Sequence, residues 1–161
     1  MKKLLLLVAL FSIALGVQAR KVAFRVDMTG QTVSANGVHF TGNFKNIDYA
    51  GVDENPNLIS WDPAAYALTA NGNIYTYVLD VAAGLPYEFK FINGNDWGSA
   101  ENIPTASQVG GGNGNRWVYI PASTATDTLM LAPIMFSGNA PAGKKLIRLN
   151  VDMAKVTAVS T

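Results

Sequence analysis

The sequence predicts an all-β fold, an immunoglobulin-like antiparallel β-sandwich. Apolar and polar residues alternate with period two over short runs. Those runs are rich in aromatic and β-branched residues, and Asn-Gly or proline signals end them. After Arg20 no stretch shows the apolar spacing of a long amphipathic helix.

The elements follow in order. Val22-Ala-Phe-Arg-Val-Asp-Met28 alternates, with Val22, Phe24, Val26 and Met28 on one face. Val38-His-Phe-Thr-Gly42 follows the turn signal Asn36-Gly37. Pro63–Tyr66 allows a short helical turn. Ile74-Tyr-Thr-Tyr-Val-Leu-Asp-Val81 follows Asn71-Gly72-Asn73, and Tyr87-Glu-Phe-Lys-Phe-Ile92 ends at Asn93-Gly94-Asn95. Arg116-Trp-Val-Tyr-Ile120 and Thr128-Leu-Met-Leu-Ala132 are short and stop at Pro121 and Pro133.

Ahead of these lies a leader. Lys2 and Lys3 precede an uncharged run from Leu4 to Leu15, and Val17 and Ala19 occupy the cleavage-site positions of a signal peptide. The run is shorter than the ~20 apolar residues that span a bilayer. Residues 1–19 are thus expected to be a signal peptide cut after Ala19, giving a secreted or periplasmic protein with no membrane span in the mature chain. No cysteine is present, so the fold holds without disulfides. Losing Lys2 and Lys3 leaves 10 basic against 11 acidic side chains, a net charge of −1. That balance offers no handle for nucleic acid or an anionic membrane, both of which need clustered Lys and Arg.

The sandwich is expected over residues 20–133. Residues 134–144 have linker composition, with Ser137-Gly138-Asn139 and Pro141-Ala142-Gly143. In the segment 145–161, Val151-Asp-Met153 repeats Val26-Asp-Met28. Two readings fit it: the first strand of a second, truncated repeat, or a last strand of the first sandwich.

Catalytic chemistry finds little support. His39 is the single histidine, and a zinc site needs several His or Cys ligands. No G-x-S-x-G elbow presents a serine, so His39 is read as a strand residue with a satisfied hydrogen bond. Asp62, Glu88, Asp96 and Glu101 fall in different elements, whereas a glycosidase needs two carboxylates facing across a cleft. Gly110-Gly-Gly-Asn-Gly-Asn115 lacks the lysine of a phosphate loop and reads as a flexible loop. The expectation is no enzyme, no cofactor and no metal.

The three tryptophans carry more information. Trp61 lies in Ser60-Trp-Asp-Pro63, Trp97 in Asn95-Asp-Trp-Gly98, and Trp117 opens a strand. Sugar rings present flat C–H faces that stack on indoles, while their hydroxyls need Asn, Asp and Lys around them. For Trp61 and Trp97, sugar stacking and core packing both fit; Trp117 is read as a core residue.

Val38-His-Phe-Thr-Gly-Asn-Phe44, Ser60-Trp-Asp-Pro63, Tyr77-Val-Leu-Asp-Val-Ala-Ala-Gly84, Tyr87-Glu-Phe-Lys-Phe-Ile-Asn-Gly-Asn-Asp-Trp97 and Gly114-Asn115 run in a telling order. This order resembles the glycogen- and starch-binding modules of the AMP-activated protein kinase β-subunit and of branching and debranching enzymes, here in an exported bacterial version. The resemblance covers residues 22 to 121. It implies that Trp61 and Trp97 stack on consecutive glucose rings, that Lys90 and Asn115 bond sugar hydroxyls, and that Val109 inserts beside the sugar chain. The segment Lys45–Ser60 is longer than the family's compact loop. The expected function is a non-catalytic module binding an α-glucan such as starch or glycogen, with a catalytic or further binding domain as partner in a longer gene product. The alternative is a structural immunoglobulin-like spacer or adhesion domain whose tryptophans only pack. In either case fold alone does not decide function.

Overall fold

The computed structural model describes residues 19–46, 55–108, 114–141, 143–145 and 147. Most of the leader, Val109 and most of the expected repeat lie outside the described residues.

The alternating runs become two sheets packed face to face. The first contains β1 (Ala19–Asp27), β4 (Thr69–Asn71), β5 (Ile74–Ala82), β8 (Leu129–Met130) and β9 (Ile134–Met135). Its order is β4-β5-β1-β8, with β9 also on β1. The second contains β2 (His39–Gly42), β3 (Tyr66–Ala67), β6 (Leu85–Ile92) and β7 (Arg116–Ile120), ordered β3-β2-β6-β7. This is the expected all-β sandwich, antiparallel except where β8 and β9 run parallel to β1.

Period two decides what is buried. Val22, Phe24 and Val26 from β1, with Met28 just after it, meet Tyr87, Phe89 and Phe91 from β6 and Phe40 from β2 in one core. Phe24 lies 4.9 Å from Phe40 at a tilt of 31° and meets Phe89 edge-on at 5.3 Å. Such ring pairs add about 0.5–1.5 kcal/mol each beyond their buried area. Tyr87 is fully buried, yet its hydroxyl donates to the Ala82 carbonyl at 2.8 Å.

At residues 62–65 the chain makes a turn rather than a helix. The Asp62 carboxylate accepts from Ala64 N and its carbonyl from Ala65 N.

The segment after Pro133 folds onto the sandwich. Val26 pairs with Ile134 and Asp27 with Met135. Phe136 N donates to the Asp27 carbonyl at 3.0 Å, Phe136 packs on the core, and Ala140 is buried. Packing against the first sheet therefore continues past Pro133, through residues whose composition reads as linker. Turn-rich composition does not forbid docking when apolar residues such as Ile134 and Phe136 meet a neighbouring strand.

Candidate functional site

The outer face of the second sheet carries the site, and β6 is its axis. Tyr87, Phe89 and Phe91 point to the core, so Glu88 and Lys90 point outward. Glu88 is braced from both sides. Its N–H donates to Asn43 Oδ1 at 2.7 Å, and its carbonyl accepts from Asn43 N at 3.0 Å. Its carboxylate oxygen Oε2 accepts from Asn115 Nδ2 at 2.8 Å.

Trp61 is delivered by the segment after β2. Its N–H donates to the Gly42 carbonyl at 3.0 Å. Lys45 N donates to Ser60 Oγ at 2.9 Å, closing the base of the loop. Trp61 has φ +54°, in the left-handed region that costs a non-glycine residue on the order of 1–3 kcal/mol. The Tyr66 hydroxyl holds the approach, accepting from Ile59 N at 2.8 Å and donating to Ile59 O at 3.1 Å. Burial raises the Tyr66 pKa above the usual tyrosine value, and the hydrogen bond to Ile59 partly opposes this.

Trp97 comes from the excursion that follows β6. Asp96 Oδ1 accepts from Gly98 N at 2.8 Å and caps the short turn Trp97–Ser99. Asn93 ties this excursion to the segment before β2, accepting from Ser34 N and donating to the Thr32 carbonyl, both at 2.9 Å.

These supports bring Trp61, Lys90, Trp97 and Asn115 to one open groove of about 500 Å³, with Asn43 and Glu88 completing its lining. Trp61 is 37% exposed and Trp97 49% exposed. A second hollow of about 240 Å³ shares Asn43 and Trp61 with the first and adds Lys45, Asn46 and Ser60. Four of the five expected site residues thus meet, while Val109 lies outside the described residues. Asn115 is buried and spends an amide hydrogen on Glu88, so it also orients that carboxylate.

Asn43 and Glu88 escape motif reasoning. The signal for Glu88 is its place two residues before Lys90 on an alternating strand, which puts both on one face. Asn43 becomes visible only when β2 is set beside β6 in register.

Two expectations are corrected. Trp117 is 56% exposed and is not a core residue. It pairs with outward-facing Glu88, whereas Arg116 and Val118 pair with core-facing Phe89 and Tyr87. His39 is buried on β2, but its Nδ1 has no hydrogen-bond partner. The neighbouring outward-facing Thr41 hydroxyl is likewise buried without a partner.

Glu88 is the one carboxylate among the described residues that lines the groove. Among the described residues, no group of three or more His, Asp or Glu side chains could hold a metal ion, and no helix is long and apolar enough to cross a membrane.

No protein-family model matches the chain, and no curated protein matches it. Among solved structures it is similar to a gamma-CGTase, a cyclodextrin glycosyltransferase, from alkalophilic Bacillus clarkii, at 25% identity and a TM-score of 0.45. The match covers 73% of this chain and 15% of that enzyme.

Proposed function

We propose that the chain is a non-catalytic carbohydrate-binding module that works outside the cytoplasm and grips an α-glucan such as starch or glycogen. One observation carries this reading: two half-exposed indoles, Trp61 and Trp97, border the same open groove as Lys90, Asn43 and Glu88. An aromatic border stacks on the apolar faces of sugar rings. By analogy with base stacking each such contact is worth about 1–3 kcal/mol. In the same groove, Lys90 donates to ring hydroxyls, and the Glu88 carboxylate, held by Asn115, accepts from them. The choice of an α-glucan comes from the motif resemblance, and export from the leader.

The groove is open and its contacts are shallow, so affinity for one short chain is modest. Multivalent display on a polysaccharide raises it through effective concentration. The test is retention of the leaderless protein on insoluble starch beside cellulose and chitin. Retention on starch, competed by soluble maltooligosaccharide, is the expected result. Passage through all three supports a spacer or adhesion domain instead.

A further inference from the structure

We infer that the sugar-binding surface does not end at the groove but continues across β7, where Trp117 and Tyr119 form a further stacking station for longer chains. The inference rests on the proposed glucan reading and extends it from a two-indole site to one that senses chain length.

The argument starts from the register. Trp117 lies directly opposite Glu88 and Tyr119 directly opposite Pro86. Directly opposed residues of an antiparallel pair lie on the same face, with Cβ atoms about 4.5–5.5 Å apart. Glu88 lines the groove, so Trp117 stands next to a groove residue on the groove's own face. Tyr119 follows two residues later, about 7 Å further along the strand by the usual rise per residue. Pro86, across from it, is also exposed.

Both rings are unusually open. Trp117 is 56% exposed and Tyr119 52% exposed, more than either indole that borders the groove. β7 is the edge strand of its sheet, so among the described strands nothing pairs beyond it. Two large aromatics in succession on an edge strand do not stabilise the sandwich by burial. Contiguous exposed apolar surface of this kind marks a binding region. Its occupant is the same glucan chain proposed for the groove, because Glu88 makes the two surfaces continuous and because Tyr and Trp combine a flat stacking face with a polar edge.

The experiment measures affinity against chain length. Calorimetric titrations of the mature chain with maltotriose and maltoheptaose are made for wild type, Trp117→Ala, Trp117→Ala with Tyr119→Ala, and Trp61→Ala. Wild type is expected to bind maltoheptaose more tightly than maltotriose. Trp117→Ala should weaken maltoheptaose binding by at least about fivefold and leave maltotriose unchanged, with the double variant weaker still. Trp61→Ala should weaken both. A measurement free of folding effects accompanies this: the indole N–H resonance of Trp117 in wild-type protein should shift with maltoheptaose and stay in place with maltotriose. If Trp61→Ala weakens both sugars while Trp117→Ala binds maltoheptaose like wild type and its resonance does not move, the extension is overturned and the groove stands. Equal loss of both sugars in Trp117→Ala overturns the length-sensing role. Wild type binding neither sugar overturns the extension and the glucan reading together.

Discussion

Arg116 grips Glu101 through two hydrogen bonds, Nε to Oε1 at 2.9 Å and Nη2 to Oε2 at 2.6 Å, with both side chains almost wholly buried. The pair is a junction. Glu101 also accepts from Phe91 N on β6 and from Ser137 N, and Arg116 also donates to the Gly138 carbonyl at 2.9 Å. One ion pair therefore ties β6, β7 and the segment after β9 together, beside the strand that carries the groove.

This gives a stability prediction. Arg116→Met leaves the Glu101 carboxylate buried without its cation, and breaking such a pair costs about 3–5 kcal/mol. Replacing both residues with Met should recover part of that loss, because no charge is then left stranded. Urea unfolding of wild type and both variants measures it. An Arg116→Met protein with a wild-type midpoint would show that the junction carries no stability.

A second prediction separates binding from folding at the groove. Trp61 and Trp97 are exposed, so changing either to Ala should shift stability by about 0.5 kcal/mol or less; truncating a core tryptophan costs about 3–5 kcal/mol. Both variants should migrate freely in a starch affinity gel that retards wild type. Lys90→Ala should weaken retention less, since an exposed hydrogen bond nets only about 0.5–1.5 kcal/mol. If the two tryptophan variants melt far below wild type, the indoles are packing elements and stacking is the wrong account.

The third prediction concerns alkaline pH. Burial raises Tyr66 above its ordinary pKa of 10.0, so on deprotonation the unfolded chain loses this proton first. Stability from Tyr66 is fully present below pH 10.0 and is lost as pH rises through the raised folded value. Tyr66→Phe loses the hydrogen bonds to Ile59 and should be less stable by about 0.5–1.5 kcal/mol at neutral pH. Above pH 10.0 the gap to wild type should narrow, because Phe has no proton to lose. Melting temperatures of both proteins from neutral to strongly alkaline pH decide it. A gap that stays constant across the range would remove Tyr66 from the alkaline response.

Local pattern by itself determined the sandwich, while the candidate site residues came from the motif resemblance. Tyr87–Ile92 alternates cleanly because one face of β6 must meet Phe24 and Phe40 while the other meets solvent, and that requirement is written into each residue's polarity. The same parity makes Lys90 outward-facing, and Asp96 with Gly98 marks the turn that presents Trp97. What tertiary structure decided is which strands become neighbours. β8 and β9 return to run parallel beside β1, more than a hundred residues earlier in the chain, and no local pattern encodes a partner so distant. Trp117 was legible as a strand residue but not as an outward one. In a five-residue strand a charged Arg116 at a buried position breaks the apolar pattern, and its bonds to Glu101 and to the Gly138 carbonyl make that burial tolerable. Asn43 joins Glu88, Trp61 and Trp97 at one groove because the register of β2 against β6 brings it there. Alternation is a property of one strand, whereas a binding surface is a property of the register between several.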